Sequence, residues 1–236
     1  MTQKKVLPIL LILILSNPPM IAQDSLSHKK AYFSNPTASH YFLSPSAFNP
    51  PKKEAYYQNS IFLLNSVYYG VSDFFSVGAG IELSSSLKGK PLYYVMIKAG
   101  GSLNERMQLS GGVFYTSFVI DEKRLEAGFG FGILTVGNTK HNFSFGIGYG
   151  FIEGELAKRP ALNLSGMTRI GRKISPRGEL WLIPANGYQP FYTLGIQILG
   201  KRLSYDLGLT SWKGMLGDLP ANTIPYIGIV WKLGKN

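Results

Sequence analysis

The sequence predicts an all-β fold, a transmembrane antiparallel up-and-down β-barrel of about twelve strands. Three observations lead there: an export signal at the N-terminus, a succession of roughly ten-residue segments in period-two alternation, and two alternating kinds of connection between them.

The chain opens MTQKKVLPILLILILSNPPMIAQD, with Lys4 and Lys5 ahead of an apolar run from Val6 to Leu15 and a small residue at Ala22. That is the layout of a secretory signal peptide over 1–22, its apolar run too short to cross a bilayer as a helix. Residues 23–39 are polar and read as a flexible periplasmic leader, which leaves 40–236 for the barrel. The chain has no cysteine, so disulfides and thiolate metal sites are excluded, and export without them suits a bacterial envelope protein. After the signal no run of about 18 apolar residues follows, which excludes a helical membrane protein.

Alternation is plain along FFSVGAGIEL, where Phe75, Val77, Ala79 and Ile81 oppose Ser76, Gly78, Gly80 and Glu82. In EAGFGFGILTVG the expected lipid face is Ala127, Phe129, Phe131 and Ile133, with Glu126, Gly128, Gly130 and Gly132 inside. In KHNFSFGIGYGFIEG it is Phe143, Phe145, Ile147, Tyr149 and Phe151, with Asn142, Ser144 and the glycines 146, 148 and 150 inside. ALNLSGMTRI, LSYDLGLTSW and PYIGIVWKL follow the same rule, whereas YYQNSIFLLNSVYYG is mixed on both faces.

The connections fall into two sets. GVSD (70–73), LNER (103–106), GNTK (137–140), GRK (171–173) and GKR (200–202) are turn-like. NPPKKE (49–54), LKGKP (87–91), DEKR (121–124), GELAKRP (154–160), the NGYQP stretch after 186 and KGMLGDLP (213–220) are richer in charge and proline. Tight turns face the periplasm in outer-membrane barrels and longer loops face outside, which puts both termini in the periplasm. A soluble barrel would point its apolar face inward. Here the second face carries glycines and single ionisable groups at mid-strand, so lipid belongs on the apolar side. Closure then follows, because an unpaired strand edge in lipid leaves backbone groups unsatisfied at several kcal/mol each. Aromatic residues near strand ends (Tyr56, Tyr57, Tyr68, Tyr69, Phe74, Phe75, Tyr192 and Trp231) suit the membrane interfaces.

Sites for chemistry are sparse. GIQILGKR (195–202) imitates a phosphate loop, but it lies on an alternating strand and has Arg202 where a Ser or Thr would hold magnesium. No cofactor or metal is expected. His28, His40 and His141 all fall toward the periplasmic end of the proposed topology, so a triad at the outer rim does not assemble from them. Eight ionisable residues are expected to line the lumen: Lys98, Arg169, Arg177 and Lys232 against Glu82, Glu126, Glu179 and Asp206. Charges in a narrow lumen must pair or be hydrated, and a salt-bridged filling is favoured over a selective ion path. The excess of the +11 formal charge belongs to the ends, with Lys52, Lys53, Lys88, Lys90, Lys123, Arg124, Lys158 and Arg159 placed outside. Loops of that sign suit outer-membrane lipid and the phosphates of lipopolysaccharide, whereas nucleic acid has no supporting fold.

Residues 40–83 carry the pattern Tyr41 to Ala47, a lysine-bearing Pro51 to Lys53, Tyr56 to Asn59 and Tyr69 to Asp73. This resembles a family of exported outer-membrane proteins of Gram-negative bacteria with R-Y-F-F-S-P-S-A, Y-Y-Q-N and Y-G-[IV]-[ST]-D segments. His40 stands where arginine is usual, and Phe74 where asparagine often follows the aspartate. The resemblance implies a barrel with a first strand over 40–48, and it implies no activity and no catalytic residues. The functional expectation is a non-enzymatic, monomeric barrel: a narrow porin-like channel for small solutes, or a structural barrel with a charge-paired, largely filled lumen. An outer-membrane lipase or acyltransferase is the alternative, followed by a surface adhesin or binding barrel.

Overall fold

A computed structural model describes residues 37–120, 122–185, 187–212 and 223–234. The signal peptide and nearly all of the leader therefore lie outside the described residues, as does the KGMLGDLP loop. In chain order the strands are β1 (Ala55–Ser60), β2 (Leu64–Ser72), β3 (Phe75–Glu82), β4 (Leu92–Asn104), β5 (Met107–Ile120), β6 (Lys123–Gly137), β7 (His141–Ile152), β8 (Glu155–Leu156), β9 (Ala161–Thr168), β10 (Ile174–Ala185), β11 (Gly187–Ile198), β12 (Leu203–Trp212) and β13 (Thr223–Leu233). One short helix, α1 (Leu83–Leu87), follows β3.

Every neighbouring pair is antiparallel, and β6 pairs with β7 while β1 pairs with β13, so the sheet closes on itself as a twelve-stranded barrel. The two-residue β8 hangs on the end of β7 outside that count. Closure satisfies the ladder hydrogen bonds all round, the condition for strands in hydrocarbon. The outward face is apolar and exposed: Ile97, Leu109, Val113, Phe143, Leu194, Leu209 and Trp231 are each between 43% and 61% exposed. The side chains with least exposure include many that are polar, among them Lys98, Ser117, Thr135, Ser144, Thr193, Gln197 and Thr210. Polar inside and apolar outside is the pattern of a barrel solvated by lipid.

The strand number agrees with expectation, but by a different route. Residues 40–48 do not form a wall strand; they lie inside the barrel. YYQNSIFLLNSVYYG is two strands, β1 and β2, joined by a turn at 61–63 with Ile61 and Phe62 at φ 55° and 60°. Period-two reading does not detect that turn, because apolar residues occupy it. Its position also moves NPPKKE: Lys52 bridges Gly70 and Lys53 N donates to Gly70 O (2.7 Å), beside the β2–β3 turn. Lys52 and Lys53 therefore sit at the short-turn end, not outside. Gly70 itself permits this approach, since a Cβ there would lie 2.3 Å from Pro51 O.

The five turn-like connections gather at one end of the barrel as expected. At the other end two of the anticipated charged loops are tight hairpins, at 121–122 and at 186. Glu122 (φ 64°) and Gly187 (φ 89°) supply left-handed backbone there, which charge counting does not reveal.

The faces of β6 are the reverse of those expected. Thr135 and Ser144 are registered opposite each other, as are Ile133 and Gly146, Phe131 and Gly148, and Phe129 and Gly150. Cross-strand partners share a face, and Thr135 and Ser144 are hydrogen-bonded to each other in the interior at 2.6 Å. Phe129, Phe131 and Ile133 thus point inward over the bare backbone of β7, and the β6 glycines face outward beside Ile147 and Tyr149. With Phe and Gly alternating, either face can be the apolar one, and only register decides.

Candidate functional site

The site is the segment 37–49, a small hairpin folded into the lumen. Tyr41 N donates to Ser44 O (2.9 Å) and Ser46 N to Ser39 O (2.8 Å), so the chain reverses around 41–44. Tyr41, Phe42, Ser44 and Ser46 are fully buried. A hairpin without neighbouring strands must find other partners for its backbone groups. The wall provides them as side chains.

Glu179 on β10 accepts from Leu43 N (3.1 Å), Ser44 N (2.9 Å) and Ser44 Oγ (2.7 Å). From the same strand Arg177 donates to Tyr41 O (2.8 Å) and to Gln197 Oε1 (2.5 Å), and lies 3.5 Å from Asp206. Across the barrel, Lys98 on β4 donates its ammonium protons to Ser46 O (2.9 Å) and Phe48 O (2.5 Å). Gln58 Nε2 and Tyr226 Oη, both at 3.1 Å, converge on Phe42 O, and Ala47 N donates to Thr135 Oγ1 (2.8 Å). Tyr41 Oη reaches Asn142 and Ser144, and Ser44 Oγ reaches Ser165. Partners on β1, β4, β6, β7, β9, β10 and β13 surround the hairpin, which places it on the barrel axis.

Of the eight residues expected in the lumen, Lys98, Arg177, Glu179 and Asp206 come together here, each at most 4% exposed. Their formal charges cancel. Yet only Arg177 and Asp206 face one another; Lys98 and Glu179 are held by carbonyl and N–H groups of the hairpin. Buried ions need hydrogen bonds as well as counter-charges, and the hairpin backbone meets that need. Arg169 and Lys232 stand at the short-turn mouth, with Arg169 Nη2 on Arg172 O (2.6 Å) and Lys232 on Glu54 (2.8 Å). Glu82 lies at the opposite end, where its carboxylate accepts from Ser84 N and Ser85 N and caps α1. Glu126 is not in the lumen: it is exposed and registered with Ser117 on the outward face, because the whole of β6 is turned over.

Two tyrosines assigned to the membrane interface also belong to the interior. Tyr56 and Tyr68 stack at 5.0 Å, and the His40 ring lies 4.4 Å from Tyr68. His40 Nδ1 hydrogen-bonds Tyr56 Oη at 2.6 Å, whereas His141 is exposed and meets Thr168 Oγ1 at 2.8 Å. Among the described residues neither imidazole bonds a carboxylate, and no group of three His, Asp or Glu side chains is arranged to hold a metal.

Sequence reasoning missed Gln58, Thr135, Gln197 and Tyr226. The signal available was their clustering, as inward polar residues, toward the short-turn ends of their strands. The segments that carry the family resemblance are the hairpin and part of its seat: Tyr41 to Ala47 form its tip, Tyr56 and Gln58 grip it, and Gly70 passes its exit.

No family model and no curated protein matches the chain. Among solved structures it is similar in fold to the KdgM porin in complex with disordered oligogalacturonate, with a TM-score of 0.59 at 8% identity over 77% of this chain and 99% of that one. The KdgM porin alone gives 0.54 at 10% identity over 77% and 99%. The NanC porin gives 0.50 at 8% identity over 76% and 99%. The chain has the fold of outer-membrane β-barrels.

Proposed function

We propose that this is a non-enzymatic outer-membrane protein, a narrow porin-like channel whose lumen is closed by its own N-terminal hairpin. The short-turn end is assigned to the periplasm and the end bearing α1 to the exterior. The observation that carries the reading is the seating of 37–49 on side chains drawn from opposite walls, including Lys98 and Glu179. The likeness to porins supports the barrel and is compatible with passage of small solutes. The basic ends support contact with lipopolysaccharide less strongly than expected, since Lys52 and Lys53 are at the periplasmic end. His40 and His141 are committed to Tyr56 and Thr168, which speaks against the lipase alternative.

Conductance across planar bilayers tests the reading. The wild-type barrel should be mostly silent, and Glu179→Ala should show discrete openings. Silence in both, with each protein shown to be folded and inserted, would leave a structural barrel and sink the channel.

A further inference from the structure

Above the hairpin, toward the end bearing α1, the lumen widens into a chamber of about 530 Å³. Its lining is the opposite of a porin's polar interior. Trp181, Phe191 and Trp212 are registered side by side across β10, β11 and β12. Met96, Phe114 and Phe129 form a second row across β4, β5 and β6. The rows meet where Phe129 and Trp181 pack edge to face at 6.0 Å. Leu43 and Pro45 of the hairpin tip form the floor. Among the described residues no Lys, Arg, Asp or Glu lines the chamber; the lumenal charges are engaged below, against the hairpin backbone. Large apolar side chains facing water forgo about 1.5–3 kcal/mol each relative to burial, and this volume is in the range of small-molecule sites, about 300–1,000 Å³.

The wall beside the chamber is incomplete. β9 is shorter than both its neighbours: its ladder ends with Ala161 opposite Gly148 on one side and Leu162 opposite Leu182 on the other. Beyond that point β7 pairs only with the two-residue β8. A second cavity, about 750 Å³, lies in this notch and shares Phe129, Ala161 and Ile183 with the chamber. It also reaches Gly128 and Phe151, which are registered on the outward face. The space therefore crosses the barrel wall.

We infer that the chamber is a binding site for an uncharged, lipid-like molecule, an alkyl chain with a neutral polar end, which passes between it and the membrane through the notch. This rests on the self-plugged reading for its floor, but the two fail separately. The conductance assay reads the hairpin, and ligand binding reads the chamber with the hairpin seated.

The chain's three tryptophans give the assay. Trp181 and Trp212 line the chamber, and Trp231 faces outward, 52% exposed. In nanodiscs, a Trp231→Phe protein titrated with 12-bromododecan-1-ol should show saturable quenching that unbrominated dodecanol reverses. Phe129→Glu should weaken it at least tenfold, and Phe129→Leu should preserve it, with heat-modifiable gel mobility verifying both barrels. Quenching that rises without saturating, or saturates equally in Phe129→Glu, would overturn the site. Dodecanoate competing as well as dodecanol would overturn the neutral assignment, and displacement by a neutral oligosaccharide would overturn the lipid-like class.

Discussion

Replacing Glu179 by alanine should unseat the lumenal hairpin while leaving the barrel closed. Three donors converge on that carboxylate, Leu43 N, Ser44 N and Ser44 Oγ, at 3.1, 2.9 and 2.7 Å. Hydrogen bonds to a charged group are each worth about 1.5–3 kcal/mol. Their sum overstates the loss, because the variant no longer has to desolvate a carboxylate. Removing one side of a buried charged contact costs about 3–5 kcal/mol, of which we take the lower end. At 1.4 kcal/mol per decade the undocked population rises on the order of 100-fold. The chain has no cysteine, so a single Ala47→Cys, at a position 1% exposed, reports undocking without background. A bulky, membrane-impermeant maleimide should label it on the order of 100 times faster in the Glu179→Ala protein. Equal labelling rates in two barrels that both show folded gel mobility would refute the argument that Glu179 anchors the hairpin.

Lys98→Met should also speed labelling of Ala47→Cys, since it strips the donor from Ser46 O and Phe48 O. Protein refolded in detergent should migrate differently before and after boiling; identical mobility in a protein soluble without detergent would refute the barrel in lipid. Gly148→Val should cost about 1–3 kcal/mol in urea unfolding, because a Cβ there would lie 2.4 Å from Gly130 O and 2.6 Å from the Phe129 ring. Gly132→Ala, with open space around its Cβ, should stay within about 0.5 kcal/mol of wild type. Phospholipid incubated with the folded protein should be recovered intact, and hydrolysis that disappears in His141→Ala would restore the enzymatic alternative.

Much of the architecture was legible because lipid imposes a strict rule on strands. Leu203, Tyr205, Leu207 and Leu209 could only face outward, and the five turn-like connections lie where their composition put them. The rule weakens where both faces of a strand are equally apolar or equally small. On β6, Phe and Gly alternate without a polar marker, and register with Ser144 and Gly146 settles what hydropathy does not. It fails for residues 40–48, whose alternation of aromatic and hydroxyl side chains suits a wall strand as well as a buried hairpin. Half of the site was visible as lone mid-strand charges at Lys98, Arg177, Glu179 and Asp206. Their partners were not, since most are backbone atoms of a segment far away in sequence.

The hairpin enters and leaves by the same mouth. Thr37 meets Gln197 near the short-turn end of β11, and on the way out Asn49 donates to Gly100 O near that end of β4. A plug tethered in this manner is an unthreaded loop, and no chain end has to pass through the barrel for it to dock or withdraw. The wall can therefore close first and receive its stopper afterwards. Opening can be driven wholly from the periplasmic side, by anything that takes hold of the chain ahead of Thr37.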